Sequence, residues 1–154
     1  MPDYTNEDIE YMKMASLLCD NAQCGYKVGC VVVKEEKVVI EAWNERLPGN
    51  QFCNYGTCVR EEENLKGGKN IDRVCTIHAE QVAIAEAAKS GRSLDKSSMY
   101  VTTYPCLICA KSIAKSGVSR LYYMCDYMGE NFADEILSKA GVTVVNIPQS
   151  VCWN

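Results

Sequence analysis

Residues 99–117 read MYVTTYPCLICAKSIAKSG, and this stretch predicts a β-strand that leads directly into an α-helix. The run from Met99 to Thr103 is rich in β-branched and aromatic residues, which favour strands. Pro105 suits the first turn of a helix and Gly117 suits a helix end, so we predict the helix between them. A strand followed by a helix of this length is one half of a βαβ unit, and it therefore indicates an α/β fold.

The remaining predicted elements alternate on both sides of this unit. On its N-terminal side we predict a helix over residues 6–20, a hairpin of strands 28–33 and 38–43, and a helix over residues 78–89 that Gly91 closes. On its C-terminal side we predict a strand at 121–124, a helix over 132–140 and a last strand at 142–145. This order predicts a five-stranded mixed sheet with helices on both faces.

Length and composition predict one folded domain over residues 1–154. Hydrophobic residues make up 47% and charged residues 23%, which is too apolar for an intrinsically disordered chain. Sixteen Lys and Arg against twenty Asp and Glu give a net charge of -4, which disfavours a long nucleic acid as partner but not a small anion. The N-terminus is acidic and polar and no apolar run approaches the ~18 residues of a membrane span, so we expect a cytoplasmic protein without a membrane partner.

Cysteine and histidine usage directs the search for chemistry. The chain has ten cysteines and a single histidine, and without a secretory signal such cysteines are typical of metal or catalytic sites. The tripeptide His78-Ala79-Glu80 opens one predicted helix, and Cys106 and Cys109 follow Pro105 in the first turn of the next. The pattern H-x-E followed by P-C-x-x-C is the signature of zinc-dependent deaminases.

The spacing of this pattern fits one catalytic Zn²⁺. Thiolates three residues apart lie on one side of a helical turn, so Cys106 and Cys109 can bind the same ion, with His78 as the third ligand. Three protein ligands leave a fourth position for water, and Glu80 beside it can move protons between that water and a substrate. Each half of the pattern alone also fits a structural histidine or a redox or structural C-x-x-C site. The two halves together favour catalytic zinc, because a structural zinc site has no use for Glu80.

The stretch from Tyr100 to Ile113, with Ser116-Gly117-Val118 after it, resembles the deoxycytidylate (dCMP) deaminase family of the cytidine deaminase superfamily. The likeness covers most of the chain and extends to Lys27-Val28-Gly29, Asn44, Cys58-Val59-Arg60, Cys75, Tyr123, Tyr127 and Ala140-Gly141-Val142. It implies a three-layer α/β/α cytidine-deaminase-like fold and the hydrolysis of dCMP to dUMP with release of ammonia. It also implies a small-molecule nucleotide as substrate and a homo-oligomer, commonly a hexamer.

The resemblance also implies which residues contact the substrate. These are Asn44 on the sugar or base, the Ala79 backbone on the pyrimidine, Thr103 at the end of its strand, and Tyr123 close to the nucleotide. Arg60 and Arg46 are candidate phosphate contacts, because a guanidinium pairs with phosphate through two N–H donors. Either arginine fits an exposed surface position equally well.

Two departures from the family pattern carry expectations of their own. Val82 stands where the family usually has an asparagine, so the sequence predicts a preference for a cytosine with a 5-substituent such as methyl. Ala42 and Glu45 replace two glycines of a loop that the family associates with regulatory nucleotides. Without those glycines the backbone approaches phosphates less closely, and we expect dCTP and dTTP to have little effect on activity.

A second group of cysteines surrounds a long polar insertion, residues 44–75. Its members are Cys24, Cys53, Cys58 and Cys75. A structural Zn²⁺ bound by all four would fasten an insertion that has few apolar residues to fold it. The resemblance indicates the same, because related chains carry a second zinc near these positions. Cysteines can instead be small buried hydrophobic residues, and Cys30 is an alternative to Cys24 in this set.

Other functions share parts of these patterns. A deaminase of adenosine in tRNA or of cytosine in single-stranded DNA has the same zinc signature, but the net negative charge and the lack of a basic stripe disfavour it. A non-catalytic zinc scaffold would not need Glu80. Deaminases of nucleosides, free bases, modified dCMP or a riboflavin precursor remain alternatives that a substrate panel can separate.

Overall fold

The computed structural model describes residues 1–46, 58–67, 69, 74–127 and 132–153. In chain order the elements are α1 (Asn6–Leu18), β1 (Gly29–Lys34), β2 (Lys37–Trp43), β3 (Glu45–Arg46), α2 (Val59–Glu62), β4 (Thr76–Ile77), α3 (Ala79–Ser90), β5 (Ser98–Thr103), α4 (Leu107–Ser116), β6 (Arg120–Cys125), α5 (Ala133–Lys139), β7 (Thr143–Asn146) and α6 (Gln149–Cys152). A short 3₁₀ turn, Cys19–Asn21, extends α1. Within these described ranges, no helix has the length and apolar character needed to cross a membrane.

Five strands form one sheet in the order β2-β1-β5-β6-β7. β1 is antiparallel to both β2 and β5, whereas β5, β6 and β7 are parallel, which confirms the predicted mixed sheet. The sequence did not predict a second, two-stranded ladder, in which Glu45 of β3 pairs with Ile77 of β4. This ladder joins the start of the insertion to the residue before His78, so the insertion begins and ends beside the catalytic candidates.

Each face of the sheet has its own apolar core. α3, α4 and α5 cover one face, where Val32 and Val101 of the strands belong to the same cluster as Ile113 of α4. α1 and α6 cover the other face, whose cluster includes Val31 and Tyr100. The two clusters take alternate residues of the same strands, because successive side chains of a strand point to opposite faces.

The ends of α3 and α4 place the candidate ligands. We predicted these helices to start at His78 and Pro105, but His78 and Cys106 are instead the N-cap residues, with extended backbone geometry, and the helices begin after them. At the other end each helix stops at a glycine in the left-handed region, with φ of 70° at Gly91 and 92° at Gly117. Glycine is favoured there because a Cβ atom makes this conformation costly.

Candidate active site

The N-cap residues of α3 and α4 lie side by side beneath one pocket. The Nδ1 atom of His78 is 3.5 Å from the Sγ atom of Cys106 and 3.4 Å from the Sγ atom of Cys109. All three ligand atoms lie within 4.8 Å of one another. Zn–S bonds of about 2.3 Å and Zn–N bonds of about 2.1 Å in a tetrahedron put N and S roughly 3.6 Å apart, so the spacing fits zinc.

Local hydrogen bonds hold these residues at the helix ends. The backbone N–H of Cys109 donates to the Sγ atom of Cys106 over 3.4 Å, so the first turn of α4 orients both thiols. The backbone N–H of His78 donates to the Oε1 atom of Gln81 over 3.1 Å, which fixes the entry into α3. Gln81 is therefore a capping residue, and it ties the H-x-E tripeptide to a rigid helix.

The electrostatics of the cluster favour a thiolate at one cysteine. The hydrogen bonds with Cys109 and with His78 outweigh the effect of burial and together lower the pKa of Cys106 to about 4. The same hydrogen bond and burial raise the pKa of Cys109 well above that of an ordinary thiol. The hydrogen bond with Cys106 raises the pKa of His78. A proton is therefore shared within a set of three atoms, and metal binding to such a set displaces protons because only the deprotonated forms are ligands.

Glu80 follows His78 by two residues and is the buried carboxylate of this face. Only 4% of the residue is exposed. Burial raises the pKa of Glu80 to about 7, in spite of opposing interactions with its own backbone and with His78. A carboxyl group that titrates near neutral pH can both accept and return a proton, which is the property of a general acid and base.

One pocket brings these groups together with most of the predicted substrate contacts. Its wall includes His78, Cys106 and Glu80. Four of the six candidate substrate contacts also line it, namely Asn44, Arg60, Ala79 and Thr103, whereas Arg46 lines a neighbouring cavity. Among the described residues of this wall, Arg60 is the only lysine or arginine. The pocket thus combines a metal-ligating floor, a buried carboxylate and a single permanent positive charge.

Asn44 holds the pocket wall with its side-chain amide. Its Oδ1 atom accepts from the backbone N–H of Val28 over 2.9 Å, and its Nδ2 atom donates to the carbonyl oxygen of Tyr26 over 2.5 Å. Only 5% of the residue is exposed. The amide has two N–H donors, so a contact with a sugar or base would use the second one while the first keeps the wall in place.

Tyr123 differs from expectation, because the pocket wall contains Tyr104 instead. The ring of Tyr123 packs edge-on against Tyr104, with ring centroids 4.8 Å apart at an angle of 86°. The Tyr104 hydroxyl donates to the carboxylate of Asp134 at the start of α5. Tyr123 therefore contacts a residue of the pocket wall without lining the wall itself.

Several pocket residues were missed by the sequence interpretation. Tyr26 and Tyr104 line the wall, as do Tyr127, which entered only through the resemblance, and Cys24, which the sequence predicted as a structural zinc ligand and not as a pocket residue. Tyr104 directly precedes Pro105, and Tyr26 directly precedes Lys27-Val28-Gly29, so proximity to the two motifs was the available signal. Their contact with the pocket depends on tertiary packing, which no local pattern encodes.

The residues that depart from the family pattern lie away from this pocket. Val82 is 6% exposed and lines a groove between α3 and β2, where it belongs to the apolar core. Val82 therefore does not line the catalytic pocket, and a preference for a 5-substituted cytosine stays a prediction that no contact of Val82 supports. Ala42 lies in β2, where it pairs with Cys30 of β1, and Glu45 lies in β3, where it pairs with Ile77 of β4. Both positions are therefore strand residues. The rest of that loop, residues 47–57, lies outside the described residues.

The second cysteine group is only partly assembled. Cys24, Cys58 and Cys75 line one cavity beside the catalytic pocket, together with Arg46, while Cys53 lies outside the described residues. Within the described ranges, the only group of three metal-ligating atoms that converge within 4.8 Å is the cluster of His78, Cys106 and Cys109. Cys75 is disulfide-bonded in this structure, and a thiolate at this position requires that the bond be reduced.

Cys30 does not substitute for Cys24. It is fully buried in β1 within the core that α3, α4 and α5 cover. Burial and the nearby carboxylate of Glu80 raise the pKa of the Cys30 thiol well above its usual value. A protonated thiol enclosed by apolar neighbours behaves as a small hydrophobic residue, which is the alternative that the sequence left open for it.

Comparison with known proteins agrees with this geometry. Residues 5–125 match the family model of the cytidine and deoxycytidylate deaminase zinc-binding region. ComE operon protein 2 of Bacillus subtilis is 33% identical over 140 residues, which are 89% of this chain and 69% of that protein. The deoxycytidylate deaminase of Schizosaccharomyces pombe is 32% identical over 136 residues, which are 88% of this chain and 42% of that enzyme. The chain thus spans less than half the length of the yeast relative.

A solved structure gives the same result in three dimensions. The dCMP deaminase of cyanophage S-TIM5, crystallised in complex with dCMP and dUMP, has a TM-score of 0.77 and 32% sequence identity to this chain. The superposition covers 94% of this chain and 99% of the cyanophage chain. The mixed sheet and its helices are therefore those of a cytidine-deaminase-like α/β fold.

Proposed function

The chain belongs to the zinc-binding cytidine and deoxycytidylate deaminase family, and we propose that it hydrolyses dCMP to dUMP and ammonia. The observation that carries the proposal is a single pocket in which Glu80 lies beside His78 and Cys106 while Arg60 lines the same wall. A buried carboxylate next to a zinc-ligating set supports hydrolytic deamination. A positive charge in the wall supports a substrate with a phosphate.

Glu80 moves the protons of this reaction. Zinc, bound by His78, Cys106 and Cys109, would polarise a water and lower its pKa. The Glu80 carboxylate accepts a proton from the attacking water and delivers it to the N3 atom of the cytosine ring. The water oxygen bonds to C4, and Glu80 then transfers the second proton of that water, from the new C4 hydroxyl, to the 4-amino group. The C4–N bond breaks, ammonia leaves, and C4 becomes a carbonyl. Water is consumed and no oxidant or reductant takes part.

The other pocket residues orient the nucleotide. The Ala79 backbone and Thr103 lie in the wall beside Glu80, where they can contact the ring. Asn44 contributes its remaining N–H donor, and the Arg60 guanidinium contributes a planar fork of donors that matches a phosphate. Binding energy from the phosphate helps to place the C4 carbon beside Glu80, so a substrate that lacks the phosphate loses efficiency in the chemical step as well as affinity.

A substrate panel tests the proposal directly. Zinc-replete protein is assayed for ammonia release with dCMP, CMP, deoxycytidine, cytosine, 5-methyl-dCMP and adenosine monophosphate. We expect kcat/KM for dCMP to exceed that for deoxycytidine by at least about 100-fold, which corresponds to a charge-assisted contact with the phosphate. Equal efficiency with both would refute the nucleotide assignment, and preference for the adenine compound would refute the pyrimidine assignment.

We also propose a second, structural zinc ion bound by Cys24, Cys53, Cys58 and Cys75. Three of these cysteines line one cavity, which supports a common site. A zinc ion there would connect α2, next to Cys58, with the residue before β4, and so would stabilise the insertion that carries Arg60. The disulfide of Cys75 and the metal site are alternative states, because zinc binds the thiolate and not the disulfide.

Elemental analysis under reducing conditions separates these states. We expect two zinc ions per wild-type chain and one in Cys58→Ser, with a lower unfolding temperature, because metal binding contributes to folding. Cys125→Ser is the matched control, since Cys125 is an exposed free thiol outside both groups. One zinc in reduced wild-type protein would exclude the second site.

The oligomeric state stays a prediction of the family resemblance. We propose a homo-oligomer, and light scattering coupled to size-exclusion chromatography tests it. A mass equal to one chain of 17.1 kDa across the accessible concentration range would contradict the prediction.

A further inference from the structure

Tyr26 lies between two residues of the catalytic pocket that have different tasks. Its carbonyl oxygen accepts the 2.5 Å hydrogen bond from the Asn44 side chain, and its ring lies under the guanidinium of Arg60, whose central carbon is 6.0 Å from the ring centroid. All three residues line the pocket. Tyr26 therefore connects Asn44, the candidate contact of the sugar or base, to Arg60, the candidate contact of the phosphate.

Arg60 depends on neighbours for its position. It lies in α2, a helix of only four residues. Its Nη1 atom donates to the carbonyl oxygen of Lys66 over 2.7 Å, which holds one end of the guanidinium. The ring of Tyr26 supports the face of the guanidinium, in the arrangement of a cation–π contact.

Two contacts restrict Tyr26, one at its backbone and one at its ring. Asn44 is buried and fixes the backbone of Tyr26, as described above. At the ring, a Cβ atom added to Gly67 would overlap the Tyr26 hydroxyl, so the ring packs against the backbone just after Lys66. A ring that is 45% exposed would otherwise have many rotamers, and these contacts select one of them.

We propose that Tyr26 is a positioning residue that holds the Arg60 guanidinium at the pocket and thereby sets the preference for a 5′-monophosphate over the free nucleoside. The inference rests on the proposed function, since it assumes that Arg60 contacts the phosphate. It predicts that the loss of the Tyr26 ring lowers kcat/KM for the 5′-monophosphate dCMP and leaves kcat/KM for the nucleoside deoxycytidine nearly unchanged.

The test compares kcat/KM for dCMP and for deoxycytidine in the wild type and three variants. We expect Arg60→Ala to lower the value for dCMP by about 10- to 100-fold and to change the value for deoxycytidine by no more than about 2-fold. We expect Tyr26→Ala to lower the value for dCMP by about 3- to 10-fold, mainly through KM, again with little change for deoxycytidine. Tyr26→Phe keeps the ring and should retain the wild-type preference.

A double variant distinguishes positioning from a separate contact. If Tyr26 acts through Arg60, Tyr26→Ala combined with Arg60→Ala should be no worse on dCMP than Arg60→Ala alone. Gly67→Ala is a second way to displace the ring without removing it, and it should reduce the preference for dCMP in the same direction as Tyr26→Ala.

The outcomes of this experiment separate the inference from the function on which it rests. Equal losses on both substrates in Tyr26→Ala, or losses that multiply with those of Arg60→Ala, would show that Tyr26 does not act through Arg60. An Arg60→Ala variant that keeps the full preference for dCMP would instead overturn the role of Arg60 in phosphate binding. Wild-type protein without any preference for dCMP would overturn the proposed substrate and the inference together.

Discussion

Among the residues that the structure describes, each face of the sheet buries one carboxylate, and the two have opposite properties. Glu80, on the face covered by α3, α4 and α5, is 4% exposed, and burial raises its pKa to about 7. Asp8, on the face covered by α1 and α6, is 9% exposed. Burial also opposes its ionisation, but hydrogen bonds from Tyr100 and Thr5 outweigh that effect and lower the pKa of Asp8.

The difference lies in what surrounds each carboxylate. The Oδ1 atom of Asp8 accepts from the Tyr100 hydroxyl over 2.6 Å, and its Oδ2 atom accepts from the backbone N–H and the hydroxyl of Thr5 over 2.7 and 2.8 Å. Glu80 instead lines the pocket beside the thiols and His78. A buried carboxylate that accepts several hydrogen bonds stays ionised and has a structural role. A carboxylate at a pocket whose pKa is raised mainly by burial can exchange protons near neutral pH.

The largest effect that we predict concerns Glu80. Glu80→Gln keeps the shape of the side chain but removes proton transfer, so we expect kcat for dCMP to fall by about 10³-fold or more. Zinc content and the unfolding temperature should stay near the wild-type values. Glu86→Gln is the matched control, since Glu86 lies on the same helix and pairs only loosely with Lys89 over 3.8 Å. Turnover above a tenth of wild type in zinc-replete Glu80→Gln would contradict the assigned role.

The sequence was sufficient for the catalytic cluster because local geometry determines it. His78 and Cys106 are the N-cap residues of helices that both end at a glycine, Pro105 directly precedes Cys106, and Cys109 follows Cys106 by one helical turn. Any fold that places two such helix starts side by side assembles the three ligands. Helix geometry also explains why Val82 does not line the pocket, because positions two residues apart on a helix differ by about 200°, so Val82 and Glu80 face opposite sides of α3.

What the sequence could not predict depends on contacts between distant segments. The β3–β4 ladder has two residues in each strand, too few for an alternating pattern. Tyr26 and Tyr104 reach the pocket because of packing against Gly67 and Asp134, each far along the chain. Asp8 forms a local capping box with Thr5 at the start of α1, but its bond to Tyr100 joins residues 92 positions apart.

The next effect concerns how closely α1 approaches the sheet. A Cβ atom added to Gly29 would overlap the carbonyl oxygen of Ala15 and lie 3.2 Å from the Cβ atom of Leu18. Because the overlap is with backbone, α1 must shift, and we expect Gly29→Ala to lower the free energy of unfolding by about 3 kcal/mol. Chemical denaturation measures it.

Gly25→Ala provides the control for this change. A Cβ atom at Gly25 meets nothing within 4 Å, so this variant should stay within about 0.5 kcal/mol of wild type. If both alanine variants are equally stable, α1 can move on the sheet without a loss of stability. The face covered by α1 and α6 would then be less rigid than its packing indicates, and would differ less from the face that carries Glu80.

The smallest effect that we predict tests Asp8 itself. In Asp8→Asn the amide oxygen can still accept from Tyr100, but the amide NH₂ faces the N–H of Thr5, so a donor meets a donor. We expect a loss of about 1.5 kcal/mol in the free energy of unfolding at pH 7. Glu10→Gln, which removes an exposed ion pair with Lys13, should cost no more than about 0.5 kcal/mol. Turnover of dCMP at pH 7 should not change in either variant.

The pH dependence of that loss identifies its cause. The pKa of Asp8 is lowered in the folded protein, so ionised Asp8 stabilises the fold above the pKa of an unfolded aspartate, about 3.9. As the pH falls through that value and then through the lower folded pKa, wild-type protein takes up the proton and loses this contribution, whereas Asp8→Asn has nothing to titrate. The stability difference between the two proteins should therefore be full near pH 7 and shrink progressively below about pH 4. A difference that is the same at pH 3 as at pH 7 would mean that Asp8 acts through shape and neutral hydrogen bonds alone, and that the two buried carboxylates do not differ in the way their surroundings indicate.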